Sequence, residues 1–200
     1  MSTIKERPIL FAGEMVRPVL AGTKTQTRRV MSDRVMKSMR AAASMGEITW
    51  FMDEGQLGEN DLPYIVDFCP YGRPGDRLWV RETFQIMRRG DDWDIPIYRA
   101  DDIAGHINVA WKPSIHMPRW ASRILLEITE VRVERLQDIS EADAVAEGVT
   151  PAAVQSFADT GLVTRPAGFA YRDLWEQING TGSWDANPWV WVVEFKRVEE

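Results

Sequence analysis

Alternation of apolar and polar residues predicts several β-strands in this chain. The clearest runs from Ile124 to Glu134, and its apolar positions change parity at Thr129–Glu130, which predicts a bulge that bends the strand. Residues 78–84 alternate in the same way after a glycine-containing turn. Residues 189–195 are apolar on both faces almost to their end, which predicts a closing strand.

Helical spacing together with capping residues predicts helices between the strands. Residues 32–45 are predicted to form one behind a Ser32 cap, and Ser140 begins another that runs through Glu147 and stops at Gly148. Residues 169–178 are predicted to form an amphipathic helix. Its predicted buried stripe comprises Phe169, Leu174, Trp175 and Ile178. Further short strands are predicted at residues 9–11, 48–52 and 93–98.

The run Gly22–Arg29 is polar on both sides of a predicted strand. Alternate side chains share a face, so the run divides into two sets: Lys24, Gln26 and Arg28 on one face, and Thr25, Thr27 and Arg29 on the other. Such a strand is a poor core element. It fits the rim of a sheet or barrel beside a cavity that needs hydrogen-bond donors, or else a solvated edge strand guarded by charge.

A second informative stretch is the segment 111–123, called the proline loop below. Its two prolines forbid regular structure, yet it interleaves cations with aromatic rings. Base stacking combined with phosphate contact uses such groups, whereas the alternative is tryptophans that cover a barrel beside snorkelling cations. The candidate binding residues are Trp111, Lys112, His116, Arg119, Trp120 and Arg123.

Length and charge narrow the range of partners. The chain has 200 residues, enough for one domain, and its net charge of −6 argues against general attraction to phosphate backbones. Residues 1–50, however, hold nine Lys/Arg against four Asp/Glu. Contact with nucleic acid is therefore expected to be local, and a short or single-nucleotide ligand is favoured over a long duplex.

Composition also predicts the compartment and the absence of a cofactor. No apolar run approaches the length of a membrane span and the N-terminus lacks a secretory signal, so no membrane partner is expected. Cys69 is the single cysteine, which rules out an internal disulfide and predicts a cytoplasmic protein. With only two histidines besides, no Cys/His zinc set can form, and neither a metal nor another cofactor is predicted.

Gly22, Lys24, Thr27 and Arg29 resemble the G-x-K-x-x-T-x-R signature that opens ASCH domains, a family of the PUA-like β-barrel superfamily. Two further stretches, G-D-R-L-W-V-R-E at 75–82 and K-P-S-I-H-M-P-R-W-A-S-R at 112–123, are similar to bacteriophage-type members. The resemblance implies an α+β fold, namely a PUA-like β-barrel with flanking helices. A single domain over residues 1–200 is expected, with loop insertions near 32–62, 85–110 and 150–166.

The resemblance also implies a choice among functions. The first is recognition of RNA, DNA or a modified nucleoside through a barrel cleft, with Thr25, Arg28, Arg29, Arg81 and the six proline-loop residues as binding residues. The second is metal-free hydrolysis of an N-acylated cytidine-type nucleoside, with Lys24, Thr27 and Glu147 as catalytic residues. The third is a ribonuclease. An enclosed pocket favours the amide hydrolase, and an open groove lined by the proline-loop tryptophans favours strand binding.

The chemistry of the catalytic set is coherent. Burial lowers the pKa of a lysine, so that Lys24 could serve as a base that activates Thr27 Oγ1 toward a carbonyl carbon. Lys24 and Thr27 are three residues apart, and a regular strand places them on opposite faces, so a bulge or a strand end is needed. Lys24, Thr27, Arg29 and Glu147 are expected to converge on one cleft, with the proline loop at its border.

Overall fold

The computed structural model of the protein describes residues 3–48, 62–89, 93–149 and 166–198. The strands are β1 (Glu6–Leu10), β2 (Gln26–Val30), β3 (Arg77–Arg81), β4 (Phe84–Arg89), β5 (Trp93–Tyr98), β6 (Leu125–Arg135) and β7 (Trp189–Arg197). The helices are α1 (Gly13–Leu20), α2 (Asp33–Ser44), α3 (Leu62–Val66), α4 (Glu141–Ala146) and α5 (Pro166–Asn179). Within these ranges, no helix is both long enough and apolar enough to cross a membrane.

The main sheet has five strands in the order β1-β3-β6-β7-β2, while β4 and β5 form a separate two-stranded sheet. β1 runs parallel to β3, and the other neighbours are antiparallel. The predicted α+β class is therefore confirmed. The described residues form no closed barrel, because β1 and β2 lie at opposite ends of the strand order. These two edges nevertheless approach each other, since the Arg29 guanidinium donates to the Leu10 carbonyl oxygen at 2.6 Å.

The antiparallel pair β6–β7 contributes to the two larger hydrophobic cores. The predicted bulge is confirmed, because the register between the two strands shifts between Ile128 and Glu130. On one face, Val193 belongs to the larger core, which α1 and α2 cover. On the other face, Val190 and Val192 belong to a second core formed with α4 and α5. β7 is thus buried on both faces, which explains why its sequence is almost continuously apolar.

Helix α4 follows its capping signals. The Ser140 hydroxyl accepts a hydrogen bond from the Asp143 backbone N–H at 3.1 Å, as the predicted N-cap role requires. Glu147 is the C-cap residue. Gly148 follows it with φ +89°, a left-handed conformation that glycine adopts without a Cβ clash. Both predicted ends of this helix are confirmed.

A Gly148→Ala variant is expected to lose roughly 2 kcal/mol or more in the free energy of unfolding. The added Cβ would lie 2.9 Å from Pro18 Cβ and 3.0 Å from Lys24 Cβ, on a backbone with positive φ. Gly182→Ala is the matched control, because Gly182 has φ +81° and no atom within 4 Å of the added Cβ. Denaturant titration measures both losses, and equal values would show that crowding against Lys24 contributes nothing.

The buried face of α5 agrees with the prediction in part, since Trp175 is buried and Leu174 is half-buried against the cores. Tyr171 and Trp175 are buried, whereas Phe169 and Ile178 are 37% and 48% exposed. The prediction followed the largest apolar side chains, but the helix packs through small residues and Tyr171, four positions before Trp175. The buried face of α5 is therefore rotated about the helix axis from the predicted face.

The predicted insertions are partly described. Residues 33–44 of the first form α2, and the second contains β5 and a 3₁₀ turn at Arg99–Asp101. Residues 49–61 and 150–165 lie outside the described residues, and so does most of the predicted strand at 48–52. The proline loop has neither α-helix nor an extended strand of its own, but two 3₁₀ turns, at Ser114–His116 and Arg119–Ala121.

Candidate functional site

A pocket of about 170 Å³ lies between the end of β1, the edge strand β2 and helix α5. Lys24, Thr27, Arg29 and Glu147 all line it, so the predicted convergence of these four residues on one cleft is confirmed. We call it the Lys24 pocket. Its aromatic lining residues are Phe11, Tyr71, Tyr171 and Trp175.

Lys24 and Glu147 form a buried ion pair at this pocket. The Lys24 ammonium donates to the Glu147 backbone carbonyl at 2.7 Å and to its carboxylate Oε2 at 2.8 Å. The two side chains are 2% and 4% exposed. The backbone explains the contact, because Lys24 and Glu147 form an isolated β-bridge and the Thr25 N–H donates to the Ala146 carbonyl at 2.8 Å. The end of α4 is thereby held against the chain that leads into β2.

Arg28 binds the second oxygen of the same carboxylate. Its guanidinium donates to Glu147 Oε1 at 3.1 Å, and its side chain is completely buried. It also contacts Glu134, with Nε 2.8 Å from Oε1, and lies 3.4 Å from Asp143 Oδ2. The Glu147 carboxylate therefore has one cation on each oxygen, while Arg28 is shared among three carboxylates.

Burial and neighbouring charges shift the pKa values of Lys24 and Arg28 in opposite directions. Burial lowers the pKa of Lys24, although Glu147 opposes the shift; Arg29 and Arg28 add to it. For Arg28, burial also acts to lower the pKa, but the carboxylates of Glu147 and Glu134 outweigh it and hold the pKa above its ordinary value. Lys24 is thus the buried cation of this pair that can release a proton.

Comparison of the chain with known proteins supplies no role for the pocket. No family model, curated protein or solved structure matches the chain. The described residues also contain no group of three or more His, Cys, Asp or Glu side chains that could hold a metal ion. The groups that the described residues bring to the pocket are an amine, a hydroxyl, guanidinium groups, a carboxylate and aromatic rings.

The polar run before and within β2 has the face pattern that its sequence predicts. Lys24, Gln26 and Arg28 all contact the α4 segment, Gln26 through a 3.0 Å hydrogen bond to the Asp143 carbonyl. Thr27 pairs across the sheet with Val193, which lies on the opposite face. Lys24 lies two residues before β2 begins, at the strand end that the prediction requires. Because β2 is an edge strand, groups from both of its faces can border the Lys24 pocket.

The structure does not bring the proline loop to the Lys24 pocket, and none of its six candidate residues lines it. Arg123 binds Glu82 through two hydrogen bonds of 2.9 and 3.0 Å and also pairs with Asp101. Arg119 pairs with Glu6 at 3.0 Å. The two arginines of the loop are therefore engaged with carboxylates from distant segments. Tertiary packing decides these pairings, and the local sequence does not show them.

The remaining predicted binding residues have other positions. Lys112 pairs with Phe84 through its backbone, and Arg81 donates to the Ile115 carbonyl oxygen. Thr25 is exposed beside the pocket residues. His116 and Trp120 are exposed, the latter by 57%, whereas Trp111 is half-buried beneath the Arg99 guanidinium, 5.7 Å from its ring centre.

The sequence did not predict the aromatic lining of the Lys24 pocket or two of the carboxylates that contact Arg28. Tyr171 is buried on the pocket side of α5, and Glu134 and Asp143 complete the ion-pair network around Arg28. The burial of Tyr171 could have been predicted, because it lies one helical turn before Trp175. No local sequence pattern indicated the carboxylates, since Glu134 and Arg28 are separated by 106 residues in the chain.

Proposed function

We propose that the Lys24 pocket binds the base of a nucleoside or nucleotide. The observation that carries this proposal is the buried Lys24 ammonium at the pocket wall. An ammonium has three N–H donors, and Glu147 accepts two of them, so one has no hydrogen-bond acceptor among the described residues; the ammonium also lies 5.7 Å from the centre of the Phe11 ring. Base edges present carbonyl oxygens and ring nitrogens as acceptors for such a donor.

Size and lining support a single ring as the bound group. Pockets for drug-sized ligands measure about 300–1,000 Å³, and the Lys24 pocket measures about 170 Å³. A planar base fits this smaller space better than an extended strand does. The rings of Tyr71, Tyr171 and Trp175 supply the apolar and stacking surface that bases use.

We further propose that the chain is an ASCH-type protein of the PUA-like superfamily. The signature positions Lys24, Thr27 and Arg29 all border the pocket, as a ligand-binding signature should. A mixed five-stranded sheet whose two edges approach each other near Arg29 is compatible with an opened barrel of that kind.

The binding proposal predicts the effect of a Lys24→Met variant. Titration with ribonucleosides, deoxyribonucleosides and an N-acetylated cytidine should change the fluorescence of the wild-type protein, because Trp175 lines the pocket. Lys24→Met keeps the stem but removes the donor, so affinity should fall by roughly tenfold or more. Thermal unfolding of the variant checks that the fold persists.

The matched control is Lys112→Met in the proline loop. Lys112 is exposed and does not line the pocket, so nucleoside affinity should be unchanged. Weaker binding after Lys112→Met but not after Lys24→Met would overturn the pocket proposal in favour of the proline loop. Failure of every tested nucleoside, nucleotide and oligonucleotide to bind would overturn base recognition altogether.

A second candidate function is amide hydrolysis of an N-acylated nucleoside. It is favoured by the lowered pKa of Lys24 and by the presence of Thr27 and Glu147 on the same small pocket. Neutral Lys24 would take the proton of Thr27 Oγ1 as that oxygen attacks the amide carbon. The ammonium would return the proton to the leaving amine as the C–N bond breaks, and water would hydrolyse the acyl-threonine ester. The ribonuclease alternative stays a prediction from the resemblance alone.

A further inference from the structure

Two larger cavities adjoin the Lys24 pocket beside helices α1 and α5. One, of about 500 Å³, shares Met15 and Leu174 with the pocket; the other, of about 540 Å³, shares Ala12 and Ile178 with it. The two cavities share Glu14 and Arg17 with each other. The three spaces are therefore neighbours, and the larger two lie next to the space in which a base is proposed to bind.

The two cavities differ in chemistry. The first, called the apolar arm here, is lined by side chains such as Pro18, Val149 and Ala170. The second, called the polar arm, is lined by a larger set of charged and polar groups: Glu14, Arg17, Arg99, Asp102 and Gln177. The apolar arm also has Glu14, Arg17 and Thr23 in its lining, but Arg99, Asp102 and Gln177 line the polar arm alone. A charged part of a ligand would lose less hydration in the polar arm, because that arm offers more polar partners.

Two guanidinium groups in the polar arm remain available to a ligand. The side chains of Arg17 and Arg99 form no hydrogen bond or ion pair with any described residue. Around the Lys24 pocket, by contrast, Arg28 binds carboxylates and Arg29 binds a carbonyl oxygen. Arg99 lies over the Trp111 ring, which orients its guanidinium without neutralising it.

Two carboxylates line the same arm and have to be weighed against these cations. Asp102 accepts backbone N–H groups of His106 and Ile107 at 2.8 and 3.1 Å, so both of its oxygens already have donors. Glu14 lies three residues before Arg17 on α1, and no ion pair joins them within 4 Å. Glu14 therefore lowers the attraction for an anion, and its removal should increase it.

We propose that the polar arm binds a phosphate group of the ligand whose base occupies the Lys24 pocket, with Arg17 and Arg99 as the phosphate-binding residues. This inference rests on the proposed function and extends it, because it makes the ligand a phosphate ester and not a free nucleoside. Guanidinium groups bind phosphate through paired N–H donors, which gives them both strength and direction. The phosphate can belong to a mononucleotide or to a short strand, and the test separates these sources.

The test compares ligands with and without phosphate. Affinities are measured by calorimetry for the four ribonucleosides, their 5′- and 3′-monophosphates, and trinucleotides of the same bases. The phosphate esters should bind more tightly than the nucleosides. Arg17→Gln and Arg99→Gln should each weaken phosphate-ester binding by roughly tenfold while changing nucleoside binding by less than about twofold. Trinucleotides that bind no better than monophosphates identify the mononucleotide as the source.

Two further variants sharpen the result. Glu14→Gln should strengthen binding of the phosphate esters, the opposite sign to the arginine variants. Arg34→Gln is the matched control, since Arg34 is an exposed arginine on α2 that lines neither arm. Equal affinity for nucleosides and their phosphates, with no effect of Arg17→Gln or Arg99→Gln, would overturn this inference and leave base binding intact. Loss of all base binding would instead overturn the proposed function.

Discussion

A Glu147→Ala variant should lose about 3–5 kcal/mol in the free energy of unfolding, because it strips a carboxylate from two buried cations. Lys24 would keep its 2.7 Å hydrogen bond to the backbone carbonyl of residue 147 but lose the 2.8 Å ion pair with Oε2, and Arg28 would lose its 3.1 Å contact to Oε1. Burying a charge without a partner costs more than the ion pair itself contributes. Equilibrium denaturation in urea measures the loss.

A double variant and a surface control test the explanation. Lys24→Met in the Glu147→Ala background should recover part of the loss, since Arg28 retains Glu134 and Asp143 and Lys24 is the cation left alone. Glu6→Ala breaks the partly exposed pair with Arg119 and should cost about 1 kcal/mol or less. A Glu147→Ala loss no larger than that of Glu6→Ala would contradict the charge argument.

The second large effect concerns turnover. If the pocket hydrolyses an N-acetylated cytidine, Lys24→Met should lower kcat by about 10²–10⁴-fold, the usual contribution of a general base. The wild-type rate should rise with pH. Burial lowers the pKa of Lys24 from its ordinary value, and the neutral amine that acts as base becomes more abundant as pH rises through that lowered pKa. Product formation at a series of pH values, followed by mass spectrometry, measures both effects.

The variant also separates the two candidate functions. If the pocket is a hydrolase site, the Lys24→Met variant should still bind the substrate, since Thr27 and the aromatic lining residues remain. Base recognition alone predicts weaker binding and no turnover in the wild type. A wild-type rate that falls with increasing pH would rule out neutral Lys24 as the base.

Local patterns in the sequence predicted much of the secondary structure. The parity change in β6 located the bulge, Ser140 and Gly148 located the ends of α4, and the polar alternation assigned Lys24 and Arg28 to one face. Each of these features depends on neighbours within a few residues. That is the range over which side-chain period, capping and backbone preference act.

The composition of the site depended on contacts that local patterns do not encode. Cations and rings in the proline loop indicated a binding surface, but carboxylates from distant segments, Glu6 and Glu82, pair with its arginines. Arg28 was predicted to bind ligand and lines the pocket, but the sequence did not show that its buried guanidinium also contacts three carboxylates. Which charges neutralise one another is decided by tertiary packing, so a free cation and a paired one look identical in the sequence.

The position of β7 between β6 and β2 has a consequence for the order in which the molecule assembles. β2 carries polar residues of the site, yet within the described part of the chain its only strand partner is β7, more than 150 residues later. During synthesis from the N-terminus, residues 26–30 therefore cannot pair in the sheet until residues 189–197 have been synthesised. Contacts of such long range slow folding, because the loop between them has to close first. We therefore expect the Lys24 pocket to form late in folding, and its cations to stay hydrated until β2 joins the sheet.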